Sequence, residues 1–138
     1  MDEPIWIDSE TLLIMQSQQI ERFGGKAGVL DRGVVESSVN RARNRFHYGE
    51  DVDLADLAAA YLFGFARSQG FADGNKRIGV AACLVFLKVN GPALDVPPDD
   101  LYAVAMALAD ERVRMSEAQA ASWIRSHRTG DRRPERRG

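Results

Sequence analysis

Phe71-Ala72-Asp73-Gly74-Asn75-Lys76-Arg77 stands between two apolar stretches of helical character, Leu54 to Ser68 and Asn75 to Val89. A carboxylate, a glycine, an amide and two cations thus occupy five consecutive positions. A helix start exposes free backbone N–H groups and the positive end of the macrodipole. Gly74 lets the backbone approach an anion closely, and Asn75 can add a side-chain donor. Lys76 brings a point charge and Arg77 a planar fork, two ways of gripping phosphate. Asp73 is a hard oxygen ligand of the kind that holds Mg²⁺ between protein and phosphates. The spacing of Gly70 and Gly74 does not make a Walker A loop. In the plainer alternative, Asp73 and Gly74 only cap a helix and the two cations are solvated. Four polar chemistries in a row, at the mouth of the most apolar helix, favour an anion site.

Working outward, Asp8 can cap a helix to about Phe23, ended by Gly24-Gly25. Gly28 to Asp31 turns into a second helix, about Arg32 to Arg43. Asp53 caps the third, where Ala55, Ala58, Ala59 and Ala60 permit close packing and Leu57, Tyr61 and Phe65 form one buried stripe. The helix from Asn75 to about Val89 is apolar nearly all round, so it is expected at the centre. Asn90-Gly91-Pro92 stops it. Asp99 or Asp100 is expected to cap a helix to about Ala109, and Ser116-Glu117-Ala118-Gln119 is a capping box for a last helix ending near His127. Pro4 to Ile7 and Arg45 to Gly49 are the only strand candidates. The expectation is an all-α domain of about six helices around a buried central one, spanning residues 1–127.

The 138 residues suit one domain, with 45% apolar and 28% charged side chains. A net charge of −2 argues against nucleic-acid binding by bulk electrostatics. Five Arg against Asp131 and Glu135 give residues 128–138 a surplus of about +3, leaving about −5 for the rest. That basic tail has no apolar residue and is expected to be disordered. One cysteine, Cys83, lies in an apolar run and reads as a packed thiol. Without a signal peptide or membrane span, a cytoplasmic location is expected.

Phe-x-Asp-Gly-Asn-Lys-Arg before an apolar helix resembles the signature of the Fic/Doc superfamily in its Doc (death-on-curing) form. Glu3-Pro4-Ile5-Trp6, Phe23-Gly24-Gly25 with Gly28-Val29-Leu30-Asp31-Arg32-Gly33, Leu57-Ala58-Ala59-Ala60-Tyr61 and Phe86-Leu87-Lys88-Val89-Asn90-Gly91 are Doc-like too. The resemblance covers residues 3 to about 126. It implies a Fic fold and the toxin of a toxin–antitoxin pair: a kinase that uses ATP and Mg²⁺ to phosphorylate a threonine of elongation factor Tu. Asp73 would be the metal ligand, and Gly74, Asn75, Lys76 and Arg77 the phosphate cradle, with Asp73 and Arg77 also serving catalysis. The family's catalytic His belongs two positions before Phe71, where this chain has Gln69. Relatives that transfer AMP carry a second Arg three positions after the first; here that position is Val80, which favours the Doc-type use of ATP.

An amide can hold an acceptor hydroxyl but cannot take its proton near neutral pH. The readings are therefore a Doc-like kinase impaired at Gln69, an inactive Fic-fold protein that still binds nucleotide or antitoxin, an AMP transferase, and a ribonuclease using Arg41 to Arg45 with His47. Arg45, Phe46, His47 and Tyr48 resemble a Fic flap that aligns a target; a solvated helix end is the plainer reading. Ser17-x3-Glu21 is followed by Arg22, so no self-inhibitory helix is recognised and control is expected from an antitoxin. Its helical segment is expected in a groove near Trp6, Leu12 and Met15, because Leu12 to Met15 hold more apolar residues than one buried face accommodates. The alternative is that this helix is core.

Overall fold

The computed structural model describes residues 1–129. Six helices carry the fold: α1 (Ser9–Phe23), α2 (Arg32–Tyr48), α3 (Leu54–Ala66), α4 (Asn75–Asn90), α5 (Pro98–Ala109) and α6 (Glu117–His127). Two short strands, β1 (Ala93–Leu94) and β2 (Arg128–Thr129), pair antiparallel. The all-α expectation holds. Among the described residues, no helix is long and apolar enough to cross a membrane.

The helix at the centre is α3, not α4. Nine of the thirteen residues of α3 are buried, and it packs against α2, α4, α5 and α6. Its alanines let four neighbours approach on different sides, while Tyr61 and Phe65 fill the gaps between them. α4 buries Ile78, Ala82, Cys83, Phe86 and Leu87 but leaves Lys88 and Val89 exposed. Apolarity all round did not distinguish the covered helix from the one beside it. Burial pushes the Cys83 thiol up to about 12, consistent with an inert packed group.

Three local expectations are corrected. Pro4 to Ile7 forms no strand, because side chains satisfy its backbone. The Asn90 amide exchanges hydrogen bonds of 2.8 and 3.0 Å with Ile5 N–H and C=O, and the Tyr61 hydroxyl accepts from Ile7 N–H at 3.0 Å. Arg45 to Tyr48 continues α2 as helix, since Phe46 packs edge-on to Trp6 at 5.6 Å and keeps the last turn on the body. Neither Asp99 nor Asp100 caps α5; Pro97 holds that position with Pro98 next, and the two carboxylates lie in the first turn, where they complement the dipole. Of the stretch expected to be disordered, Arg128 and Thr129 form β2, and residues 130–138 lie outside the described ones.

Asp53 joins three elements. It caps α3 in a capping box with Asp56. Arg125 of α6 donates to both Asp53 oxygens at 2.8 and 3.1 Å and to Asp56 Oδ1 at 3.0 Å. Burial pulls the Asp53 carboxyl upward, but Arg125 and the Asp56 N–H outweigh it and hold the group well below the usual carboxylate range. A folded-state value below the unfolded one means stability that is present above about pH 4 and lost as pH falls further. Asp53→Ala should therefore lower unfolding stability by about 1–2 kcal/mol at pH 7, with the gap to the unaltered chain shrinking at pH 3; urea titrations at both values measure it.

Candidate functional site

The loop between α3 and α4 is held from three sides. Phe71 is fully buried, with its ring stacked on Phe65 at 6.1 Å. The Asn75 amide accepts from Phe71 N–H and donates to Phe71 C=O, both at 3.0 Å. The Gly70 carbonyl accepts from Leu30 N–H (2.8 Å) and Asp31 N–H (3.0 Å), Ala72 N–H donates to the Gly28 carbonyl (3.0 Å), and Val29 bridges Phe71. A Cβ on Gly70 would lie 2.7 Å from Val35 Cγ2 and 3.0 Å from Val35 N, so only glycine lets the start of α2 come this close.

Gln16 of α1 makes the third brace. It is 3% exposed. Its amide donates to the carbonyls of Lys26 (3.3 Å) and Asp73 (3.2 Å), and its oxygen accepts from Gly28 N–H (3.3 Å). One side chain thus ties segment 26–28 to the loop. Lys26 N–H donates to Asp73 Oδ2 at 2.8 Å, and Asp73 Oδ1 has no partner among the described residues.

The openings of α4 and α5 lack the side-chain cap that the other helix starts have. Asp8, Asp31, Asp53 and Ser116 cap α1, α2, α3 and α6 through their side chains. Gly74 sits at φ 79°, a left-handed conformation natural to glycine, and supplies no side-chain acceptor. The N–H groups of Asn75, Lys76 and Arg77 are left facing outward without a capping group. Lys76 and Arg77 have no carboxylate partner among the described residues. Arg77 instead lies over Phe23 (4.8 Å) and Tyr102 (6.0 Å). Beside it opens a hollow of about 350 Å³ between α1, α4 and α5, walled by Phe23, Val80, Leu84, Pro98 and Tyr102.

The structure therefore brings Gln69, Asp73, Gly74, Asn75, Lys76 and Arg77 to one mouth. Gln69 is exposed and makes no hydrogen bond among the described residues. The Asn75 side chain is committed to Phe71, so only its backbone N–H is left over for another partner. Arg45, Phe46, His47 and Tyr48 stand elsewhere. Val35 of α2 touches Gly70, and Arg45 is ten residues farther along, about 15 Å at 1.5 Å per residue. The extended backbone beside the loop is segment 26–31. Leu12 is 0% exposed and belongs to the core; Met15 and Trp6 are half-buried, with Trp6 stacked on Phe86 at 6.0 Å. Sequence reasoning missed Gln16 as a brace, and Phe23 and Tyr102 beside Arg77. The spacing of Gln16 four after Leu12, on the buried face, was the available signal.

Among the described residues, no group of three or more His, Cys, Asp or Glu could hold a metal ion. The donor set fits only a cation shared with a ligand's phosphates and water, with Asp73 as single carboxylate, which is a mode common for Mg²⁺.

Residues 6–87 match the Fic/DOC family. Over 85 residues the chain is 38% identical to "Protein kinase doc" of Escherichia phage P1, covering 62% of this chain and 68% of that protein. Over 74 residues it is 42% identical to "Toxin Doc" of Mycolicibacterium smegmatis, covering 52% of this chain and 56% of the relative. The braced loop lies inside the matched region, and more than half of the chain is matched: the chain belongs to the Fic/DOC family, among its Doc toxins.

Proposed function

We propose that this mouth binds Mg·ATP and directs its terminal phosphoryl group to a hydroxyl of a protein of the translation machinery. On the family resemblance that hydroxyl is a threonine of elongation factor Tu. The observation that carries the reading is the uncapped start of α4, flanked by two cations without carboxylate partners and by Asp73. Four other helices are capped through side chains; of the two that are not, α5 opens at Pro97-Pro98 with Asp99 and Asp100 in its first turn, whereas α4 opens beside two cations.

The first-turn N–H groups and Lys76 would hold phosphate oxygens, and Arg77, kept in place by Phe23 and Tyr102, would neutralise charge. Asp73 Oδ1 would reach the cation. Bound there, Mg·ATP would supply the transferable phosphoryl group and a divalent positive charge beside it. The hollow beside Arg77 would take the nucleoside. Val80, at the position where AMP transferases carry a second Arg, is 8% exposed and packed in the core, so no second fork is offered on that turn.

Gln69 can orient the acceptor hydroxyl but not take its proton, which must then leave to solvent. No histidine of this chain replaces it. His47 is on the last turn of α2, and the His127 ring stacks on Trp123 at 4.1 Å. Gln69 is also what favours the second reading, an inactive protein that binds nucleotide and is held by an antitoxin. In either case an antitoxin segment is proposed as the controlling partner, and Ile14, 60% exposed on α1 between half-buried Leu13 and Met15, gives that face apolar surface.

Gln69→His should raise phosphoryl transfer by about 10²–10⁴-fold without altering ATP affinity. Labelled-ATP transfer and calorimetry on both forms measure it, and equal rates would remove Gln69 from the argument. Asp73→Ala should abolish the Mg²⁺ dependence of ATP binding in the same calorimetry. Gln16→Leu removes three part-buried hydrogen bonds, at about 0.5–1.5 kcal/mol each. It should lower both the melting temperature and ATP affinity; a lowered melting temperature with unchanged affinity would make Gln16 purely structural.

A further inference from the structure

A second groove is lined in part by Ser68, the residue before Gln69. A hollow of about 280 Å³ between α2 and α3 is lined by Ser38, Arg41, Phe63, Arg67 and Ser68 among others. It shares Phe63 and Arg67 with a wider hollow of about 630 Å³ that continues past Arg114 to Glu117 at the start of α6. Ser68 and Arg67 of this lining directly precede Gln69 in the chain.

Phe63 organises the charge here. Arg41 stands 4.5 Å and Arg67 5.3 Å from its ring centroid. A guanidinium laid on an aromatic face is held in orientation, yet its fork stays available for a planar acceptor such as carboxylate. Arg41 shares its fork with Glu117 at 2.7 Å. Arg67 and Arg114 are exposed and have no carboxylate partner among the described residues. The chain as a whole is net negative, −2, whereas the lining of the two hollows sets Arg41, Arg67 and Arg114 against Glu111 and Glu117, a small positive surplus of the opposite sign. The two glutamates interrupt the arginines. That spacing suits a peptide with a few carboxylates better than a nucleic acid, whose continuous phosphates need an unbroken basic track.

We propose that this groove docks an acidic segment of the phosphoacceptor protein, its carboxylates on the Arg67 and Arg114 forks, so that the hydroxyl-bearing residue is carried past Ser68 to Gln69. The inference rests on the phosphotransfer reading, but it assigns the chemistry of the partner. The groove is distinct from the nucleotide mouth, so each can be tested while the other is intact.

The test is fluorescence anisotropy on the full chain, with a labelled threonine peptide flanked by aspartates and a twin carrying asparagines. The acidic peptide should bind about tenfold tighter at low salt, and the preference should fade as salt rises. Arg67→Glu and, separately, Arg114→Glu should erase it with melting temperature and ATP affinity unchanged, whereas Arg67→Lys keeps part of it. Arg67 ends α3 through its backbone N–H, so the side-chain reversal leaves the helix intact. Equal affinity for the two peptides overturns the proposal, as does a preference that survives both reversals or an RNA oligonucleotide of matched charge that displaces the acidic peptide. Failure of ATP to bind in the parallel titration would strike the phosphotransfer reading alone, because peptide affinity is measured without turnover.

Discussion

The side-chain amide of Asn75 grips both polar backbone groups of Phe71 at 3.0 Å, and the mouth of α4 depends on that grip. Phe71 is buried, so its N–H and C=O would each cost about 1–3 kcal/mol if left unpaired. An asparagine four residues later satisfies both and at the same time sets the turn. Gly74 can then take its left-handed conformation, and α4 begins with its N–H groups directed outward. A residue that looks like a phosphate donor in the sequence serves instead by shaping the backbone that would do the donating.

That grip works because its surroundings do not yield. α3 and α4 pack on each other with Gly79 against Leu62, Phe65 and Ala66, and close-packed groups transmit displacement instead of absorbing it. The other wall of the loop is segment 26–31, which is attached by backbone bonds to Gly70 and Ala72 and by Gln16 to Asp73. The loop is therefore enclosed by α1, α2 and α3 before any ligand arrives. Such preorganisation is what positioning and charge stabilisation require in phosphoryl transfer, where the protein contributes little covalent chemistry.

Much of this was legible. Capping residues marked where α1, α2, α3 and α6 begin, because Asp8, Asp31, Asp53 and Ser116 act within three residues of themselves and need no tertiary knowledge. The motif from Phe71 to Arg77 was legible for the same reason. What failed involved contacts between distant segments. The alanines of α3 showed that it could be tightly surrounded, but not that it, and not the more uniformly apolar α4, would be. Arg45 to Gly49 reads as a short strand candidate until Trp6, some forty residues earlier, is placed against Phe46. Leu12 to Met15 suggested an exposed strip, and helical geometry divided it, with Leu12 inward and Ile14 outward. Gln16 had no local pattern beyond its place on the buried face, since each of its partners lies ten or more residues away.

Position 69 separates architecture from chemistry. Its neighbours are all constrained: Ser68 reaches Ser38 at 3.4 Å, Gly70 is wedged against Val35, and Phe71 is buried. Gln69 itself is exposed and bonded to nothing among the described residues. Stability therefore places little demand on the side chain there. The backbone at 69 is held by residues on either side, so the side chain it bears leaves the chain at a constrained point of the loop. Exchange of an imidazole for an amide at such a site removes a proton acceptor while keeping a hydrogen-bonding group. The two capacities of the site, holding an anion and accepting a proton, thus reside on different residues, and the first can persist in full without the second.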